Sequence, residues 1–258
     1  MKKAIFGYLG GKSQLSKLII PLIPEHTCYV EPFCGAAWVF FKKNPSKTEI
    51  LNDLNGELVN LYRVIRDDFG KFVRYFRGIP IAREQFNYFK SQRIDLIDDP
   101  IERAARFFYL LRTSYGSKTF KPTLSITHSR PSNLNLLTLK REIMRGQQRL
   151  ARVYLENLPY FKVIERYDRT DTFFYIDPPY WNCEDYYGEG LFERADFERM
   201  RDLLLKIKGK FIMSLNDLPD VRRVFGDFNF KSVTVRYSVQ TGSAKIIPRF
   251  SEVLISNF

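Results

Sequence analysis

Four consecutive residues, Asp177-Pro178-Pro179-Tyr180, directly follow the apolar run Thr172-Phe173-Phe174-Tyr175-Ile176. Two adjacent prolines fix two backbone angles and remove two amide donors. The carbonyls of Asp177 and Pro178 then have no neighbouring N–H competing for a ligand. A carboxylate, a prearranged carbonyl and an aromatic plane are presented together at a strand end. That set suits a planar heterocycle with an exocyclic amine. The amine donates one hydrogen bond to the Asp177 carboxylate and one to the Pro178 carbonyl. Tyr180 stacks on the ring, a contact worth about 1–3 kcal/mol per base in single-strand binding proteins. Taken alone, the tetrapeptide also reads as a proline turn closing a strand.

Two further motifs have cofactor chemistry. In Tyr8-Leu9-Gly10-Gly11-Lys12 the glycines allow close backbone approach, and Lys12 can pair with a carboxylate or phosphate. The spacing is not that of a P-loop, and a plain turn into a helix is the competing reading. Glu31-Pro32-Phe33-Cys34-Gly35-Ala36-Ala37 reads as strand, glycine turn, helix. This is the shape of a nucleoside-cofactor turn, with fewer glycines than a dinucleotide fingerprint. Asp53 lies roughly 20 residues downstream, where an acid grips ribose hydroxyls. It could equally cap a helix; its spacing from Gly35 favours the ribose role.

The elements that must hold these groups alternate. Ser13 is placed to cap a helix through Leu15, Leu18 and Ile19. Cys28–Phe33 and Thr48–Leu51 read as strands, and Leu58, Leu61, Tyr62 and Ile65 have helical spacing. Pro100 to Arg112 is an amphipathic helix, Thr113 to Thr138 is irregular, and Leu139 to Leu155 is a basic helix. Phe161–Ile164, Thr172–Ile176 and Lys210–Ser214 read as strands, with a helix from Ala195 to Ile207. Two closing strands are expected near Phe228–Tyr237 and Glu252–Ser256. The pattern implies a three-layer α/β sheet, whose ligands bind outside the carboxyl ends of the strands.

The chain has 258 residues, 45% of them hydrophobic, enough for a substantial core in one large domain or one domain with an insertion. Lys and Arg number 41 against 29 Asp and Glu, a net charge of +12. Residues 61–160 carry +10 of it, and no acid lies between Arg103 and Arg141. Such a segment suits nucleic acid, an acidic membrane surface or a solvated face. Three Cys and two His exclude a disulfide framework and argue against structural zinc. No apolar run approaches the roughly 20 residues that span a bilayer. A soluble, reduced, cytoplasmic protein is expected, without metal or membrane.

The order of these motifs resembles a Dam-type DNA adenine-N6 methyltransferase of the alpha group. The likeness covers nearly the whole chain: Gly10-Gly11-Lys12 after the aromatic Tyr8, Glu31–Ala36, Asp53-Leu54-Asn55, the catalytic tetrapeptide, and Ser214-Leu215-Asn216. The resemblance implies a Rossmann-like methyltransferase fold with a mostly helical target-recognition insert. It assigns 1–60 plus 161–258 to the catalytic domain and 61–160 to the insert. It also implies S-adenosylmethionine as cofactor, double-stranded DNA as partner, a flipped adenine as substrate, and a nucleoid-associated location. Phage or restriction–modification origin, with an endonuclease partner, is open to such an enzyme. Asp177, Pro178, Pro179 and Tyr180 are the expected catalytic set. Tyr8, Gly10, Gly11, Lys12, Glu31, Pro32, Phe33, Gly35, Asp53 and Asp177 are expected around the cofactor. Arg112, Ser114, Tyr115, Lys118, Lys121 and Arg130 are expected on DNA.

Two departures stand out. Ala37 replaces a glycine common in the family, and Lys118 to Arg130 lacks the segment of a GATC reader, so no target sequence is implied. Among competing readings, cytosine-C5 methylation needs a nucleophilic Cys after a proline, and none of Cys28, Cys34 and Cys183 follows one. Cytosine-N4 methylation usually has Ser in place of Asp177. A non-enzymatic DNA-binding module explains the basic insert but not the cofactor motifs.

Overall fold

The structure is a computed structural model that describes residues 4–8, 12–118, 121–126, 128–129, 131–183, 192–236 and 249–258. Alternating side chains on short β-rich segments build one seven-stranded sheet. Its strands are β1 (Cys28–Glu31), β2 (Thr48–Asn52), β3 (Tyr154–Glu156), β4 (Thr172–Ile176), β5 (Lys210–Asn216), β6 (Asn229–Arg236) and β7 (Arg249–Ser256). Their spatial order is β3-β2-β1-β4-β5-β7-β6. The first five are parallel, and β7 runs antiparallel to both of its neighbours. The order reverses between β1 and β4, which opens a crevice outside their carboxyl ends. Glu31 ends β1 and Asp177 follows β4, so both motifs meet at that crevice.

The strands' period of two sorts their side chains into two cores. Tyr29, Leu51, Phe173, Tyr175, Ile212 and Leu254 face one side. They pack against α1 (Ser16–Ile19), α2 (Trp38–Lys42) and the helices of the insert. Val30, Ile50, Phe174, Ile176, Met213 and Val253 face the other. They pack against α8 (Tyr160–Tyr167), α9 (Arg194–Leu204) and α10 (Pro219–Val224). The expected three-layer α/β arrangement is present.

Between β2 and β3 lie α3 (Gly56–Asp67), α4 (Phe69–Tyr75), α5 (Arg83–Ser91), α6 (Pro100–Thr113) and α7 (Leu136–Leu150). Asn55 caps α3 by accepting from the Glu57 and Leu58 amides, and Asp99 caps α6 from the Ile101 amide. These caps satisfy first-turn donors that the helix itself cannot. The insert shares a core with the sheet: Phe72, Phe86, Phe108 and Ile143 belong to the same cluster as Tyr29 and Phe173. Arg149 of α7 pairs with Glu49 of β2, which also binds Lys43 at 2.7 Å. Gly146 on α7 lets Ile5 approach where any Cβ would collide with it.

The structure corrects several sequence expectations. Phe161–Ile164 is not a strand but part of α8. Pro159 starts the helix, and Tyr160, Val163, Ile164 and Tyr167 follow helical spacing that a four-residue window cannot reveal. The strand is β3, inside the segment expected to be the end of a helix; α7 stops at Leu150. Because β3 pairs with β2, the sheet reaches into residues 61–160. Ser13 does not cap α1, which starts at Ser16 without a side-chain cap.

Candidate active site

A cleft with about 1100 Å³ of empty space, counting its open mouth, lies at the carboxyl ends of β1, β2 and β4. Tyr8, Lys12, Glu31, Pro32, Phe33, Gly35, Asp53, Asp177 and Pro179 all line it, as does Ala37. Motifs far apart in sequence therefore converge on one cavity.

Asp177 is the first residue beyond β4. Lys12 Nζ lies 3.2 Å from its Oδ1, and the Ser214 hydroxyl donates to the same oxygen at 2.9 Å. Ser214 is in turn 2.9 Å from the Tyr175 hydroxyl. Burial pushes the Asp177 carboxyl up to about 6, Lys12 and Ser214 pull it down, and Glu252 pushes it up. The lysine is itself buried, and its ammonium lies 4.1 Å from the centroid of the Tyr180 ring, a cation–π contact. Tyr180 donates its hydroxyl to Glu252 Oε2 at 2.7 Å. Asn216 grips the backbone of Trp181 twice, accepting from its amide at 3.1 Å and donating to its carbonyl at 2.9 Å.

The glycine turn is held from several sides. Gly35 has φ +47°, and a Cβ there would lie 3.3 Å from the Tyr8 ring. Its amide donates to Asp53 Oδ2 at 3.0 Å, and its carbonyl accepts from Tyr62. Asp53 Oδ1 accepts from the Asn55 amide, and burial raises this carboxyl despite those backbone donors. The helix-cap alternative for Asp53 falls away, because the cap is Asn55. Ala37 adopts the left-handed conformation, φ 51°, where the family's glycine would carry no strain. Glu31 accepts from the Tyr29 hydroxyl and the Phe40 amide, yet burial raises its carboxyl to about 8.

Some contributors were not visible in the sequence. Asn52 donates to the Pro32 and Leu158 carbonyls and accepts from the Leu158 amide, closing one wall. Phe33 stacks on Tyr160 at 5.3 Å, with Phe192 close to both. Glu252 comes from the far end of the chain. Its only sequence signal is an acid opening the apolar run Val253-Leu254-Ile255.

The insert residues divide. Arg112 donates to the Asn133 and Ile5 carbonyls and pairs with Glu142 at 3.1 Å. Ser114 is buried, and its hydroxyl has no hydrogen-bond partner among the described residues. Arg112 thus ties the helical segment to the N-terminal segment, and Ser114 is enclosed. The main chain here forms a short hairpin, in which Tyr115 N donates to Thr123 O and Ser125 N to Thr113 O, both at 2.8 Å. Tyr115 is half exposed on it, and Lys118 and Lys121 lie toward its tip. Gly10, Gly11 and Arg130 lie outside the described residues. Among the described residues, no cluster of three His, Cys, Asp or Glu side chains could hold a metal, and no helix is long and apolar enough to cross a membrane.

Comparison with known proteins adds an independent line. The profile of a family described as D12 class N6 adenine-specific DNA methyltransferase matches residues 8–239. A Type II methyltransferase of Lactococcus lactis subsp. cremoris is 27% identical, across 97% of this chain and 94% of its own. The DNA adenine methylase of Haemophilus influenzae is 26% identical, across 92% of this chain and 88% of its own.

Proposed function

The chain belongs to the D12 class of N6 adenine-specific DNA methyltransferases, and from that premise we propose how its residues divide the work. The activity is methylation of the exocyclic amine of adenine in DNA. S-adenosylmethionine, when bound, supplies the methyl group from a positively charged sulfur. The cleft's donor set fits such a ligand. Phe33, Tyr160 and Phe161 offer an apolar wall for a purine, and Asp53 offers an acceptor for ribose hydroxyls. Lys12 and Glu31 lie on the side toward Asp177, and Tyr8 packs beside Gly35 with its hydroxyl on Asn55.

Adenine's amine is a poor nucleophile, because its lone pair is delocalised into the ring. Lys12 and Ser214 both use Asp177 Oδ1. We assign the other oxygen, Oδ2, to one amine hydrogen and the Pro178 carbonyl to the second. Two acceptors so placed favour a tetrahedral nitrogen, free its lone pair and fix its direction, a proximity effect. They also stabilise the positive charge that develops on nitrogen. Lys12 covers one face of the Tyr180 ring, and the other face receives the base. A base inside a duplex is out of reach, so it is flipped into the cleft. The hairpin residues Tyr115, Lys118 and Lys121, with the basic insert around them, hold the duplex meanwhile.

The observation that carries this reading is the half-buried Asp177, held by Lys12 and Ser214 beside the cofactor cleft. The test is transfer of labelled methyl groups by Asp177→Ala. Transfer is expected to be lost, with DNA retention largely kept. Wild-type transfer by this variant overturns the assignment. Analysis of the product nucleosides separates adenine-N6 from cytosine-N4 methylation.

A further inference from the structure

Three side chains on two neighbouring strands reach the segment after β4, and each holds a different residue of it. Ser214 of β5 holds the Asp177 carboxylate, Asn216 of β5 holds the Trp181 backbone, and Glu252 of β7 holds the Tyr180 hydroxyl. The sheet register explains the convergence. Ser214 and Asn216 are two apart on one strand and share a face. Asn216 is directly opposite Glu252 in the antiparallel β5–β7 ladder, so their side chains emerge together.

We propose that Glu252 is a positioning residue for methyl transfer: by accepting the Tyr180 hydroxyl it fixes the aromatic plane against which the target base stacks. The inference rests on the stacking role given to Tyr180 above. Three observations support it. Glu252 is 1% exposed, although nothing in the sheet's packing calls for an acid in an apolar run. Buried carboxylates are disfavoured unless they are compensated, so this one has a local use. Its partner Tyr180 is the aromatic residue of the tetrapeptide, and the 2.7 Å bond fixes where the hydroxyl end of the ring lies. Finally, Lys12 lies against the ring and on Asp177, so ring, lysine and catalytic carboxylate form one connected unit. A shift of the ring would displace the base relative to Asp177.

A second consequence is electrostatic. The charged groups facing Asp177 are Lys12 from the N-terminal segment, Glu31 from β1 and Glu252 from β7, beside the Tyr175 and Ser214 hydroxyls. Lys12 favours the ionised carboxylate and Glu252 opposes it. Removing the charge of Glu252 lets Asp177 stay ionised to lower pH.

The test compares Glu252→Ala with Glu252→Gln in the full-length protein. It uses steady-state methylation and a duplex with 2-aminopurine at the target adenine. Glu252→Ala is expected to lower kcat roughly ten- to hundred-fold, the effect of losing a hydrogen bond to a charged group. The KM for S-adenosylmethionine should change little, and 2-aminopurine emission should rise because the base is less tightly stacked. Glu252→Gln keeps an oxygen that accepts the same hydroxyl. It is expected to recover most of the loss and to move the acid limb of the kcat profile to lower pH. Wild-type kcat and emission in Glu252→Ala overturn the proposal. So does a Glu252→Gln protein, folded by circular dichroism, that is as inactive as the alanine variant. Should Glu252→Ala not fold, Glu252→Gln and Tyr180→Phe carry the test. Their double variant is expected to be no worse than the poorer single one, and additive losses overturn the coupling. Tyr180→Ala separates the two levels. If it keeps full activity, the stacking role itself fails. If it is impaired while Glu252→Ala is not, only the inference about Glu252 fails.

Discussion

The cleft at the strand ends and the hairpin of the insert solve opposite problems. In the cleft and the segment after β4, Asp177, Tyr180, Trp181, Gly35 and Asp53 are each held by a partner distant in sequence. On the hairpin, Tyr115 is half exposed and Lys121 is exposed. Chemistry on one nitrogen atom needs fixed geometry, because stabilisation is gained only where groups are prearranged. Holding a polyanion needs charge that can reach it, with less demand on position. On the proposed division of work, that is why the near-neutral catalytic segments and the basic insert differ in charge.

That contrast can be broken at several points. The largest effect is expected in the cleft, from pH. Asp177 is a charged acceptor through both oxygens only when ionised, and its carboxyl is raised to about 6 from the usual 3.8. At pH 7 most of it is ionised. As pH falls through 6 one oxygen becomes a hydroxyl and the charge is lost, and kcat should drop by about tenfold per unit below that. A kcat profile flat down to pH 4.5 would show that the cleft does not work this way. The sign for stability is opposite. A raised carboxyl binds protons more readily folded than unfolded, so its contribution is greatest below about pH 4 and declines as pH rises through 6.

Arg112 tests the boundary between the regions. It belongs to the insert by sequence, yet its guanidinium is spent on Asn133, Ile5 and Glu142. Arg112→Ala should therefore cost about 1–2 kcal/mol in urea unfolding, from losing charged hydrogen bonds to two carbonyls and a partly exposed ion pair. The salt slope of DNA binding should stay the same. A reduced slope with unchanged stability would return Arg112 to the DNA-contacting set.

The hairpin lysines should behave in the reverse way. Lys118→Ala and Lys121→Ala are expected to weaken DNA retention and lower the salt slope by about one each. Stability and cofactor affinity should be unaffected. Equal retention by the double variant across a salt titration would remove the hairpin from the interface.

The smallest effect is expected at Ala37. Its left-handed conformation carries strain that glycine does not, so Ala37→Gly should gain up to about 1 kcal/mol in thermal or urea unfolding, partly offset by the entropy of the unfolded chain. A clear loss of stability would mean that the alanine methyl contributes more by its burial than the strain takes away.

Much of the site was legible in the sequence because each motif is local. Asp177–Tyr180, Glu31–Gly35 and Asp53 are short runs at strand ends, and a parallel α/β sheet gathers such ends along one edge. Their residue types already pointed to the chemistry, and the charge distribution is the basis for proposing which segment meets the polyanion. Three matters were decided only by the tertiary structure. Arg112 turns inward to the Ile5 carbonyl and to Glu142 of α7, and Ser114 is enclosed where α6 ends. The strand before α8 and the helix after it were exchanged, since four-residue windows of apolar side chains fit both periods. Glu252 reaches Tyr180 because β7 runs antiparallel beside β5 and sets Glu252 opposite Asn216. That pairing depends on which strands lie side by side, and no local pattern in the chain encodes it.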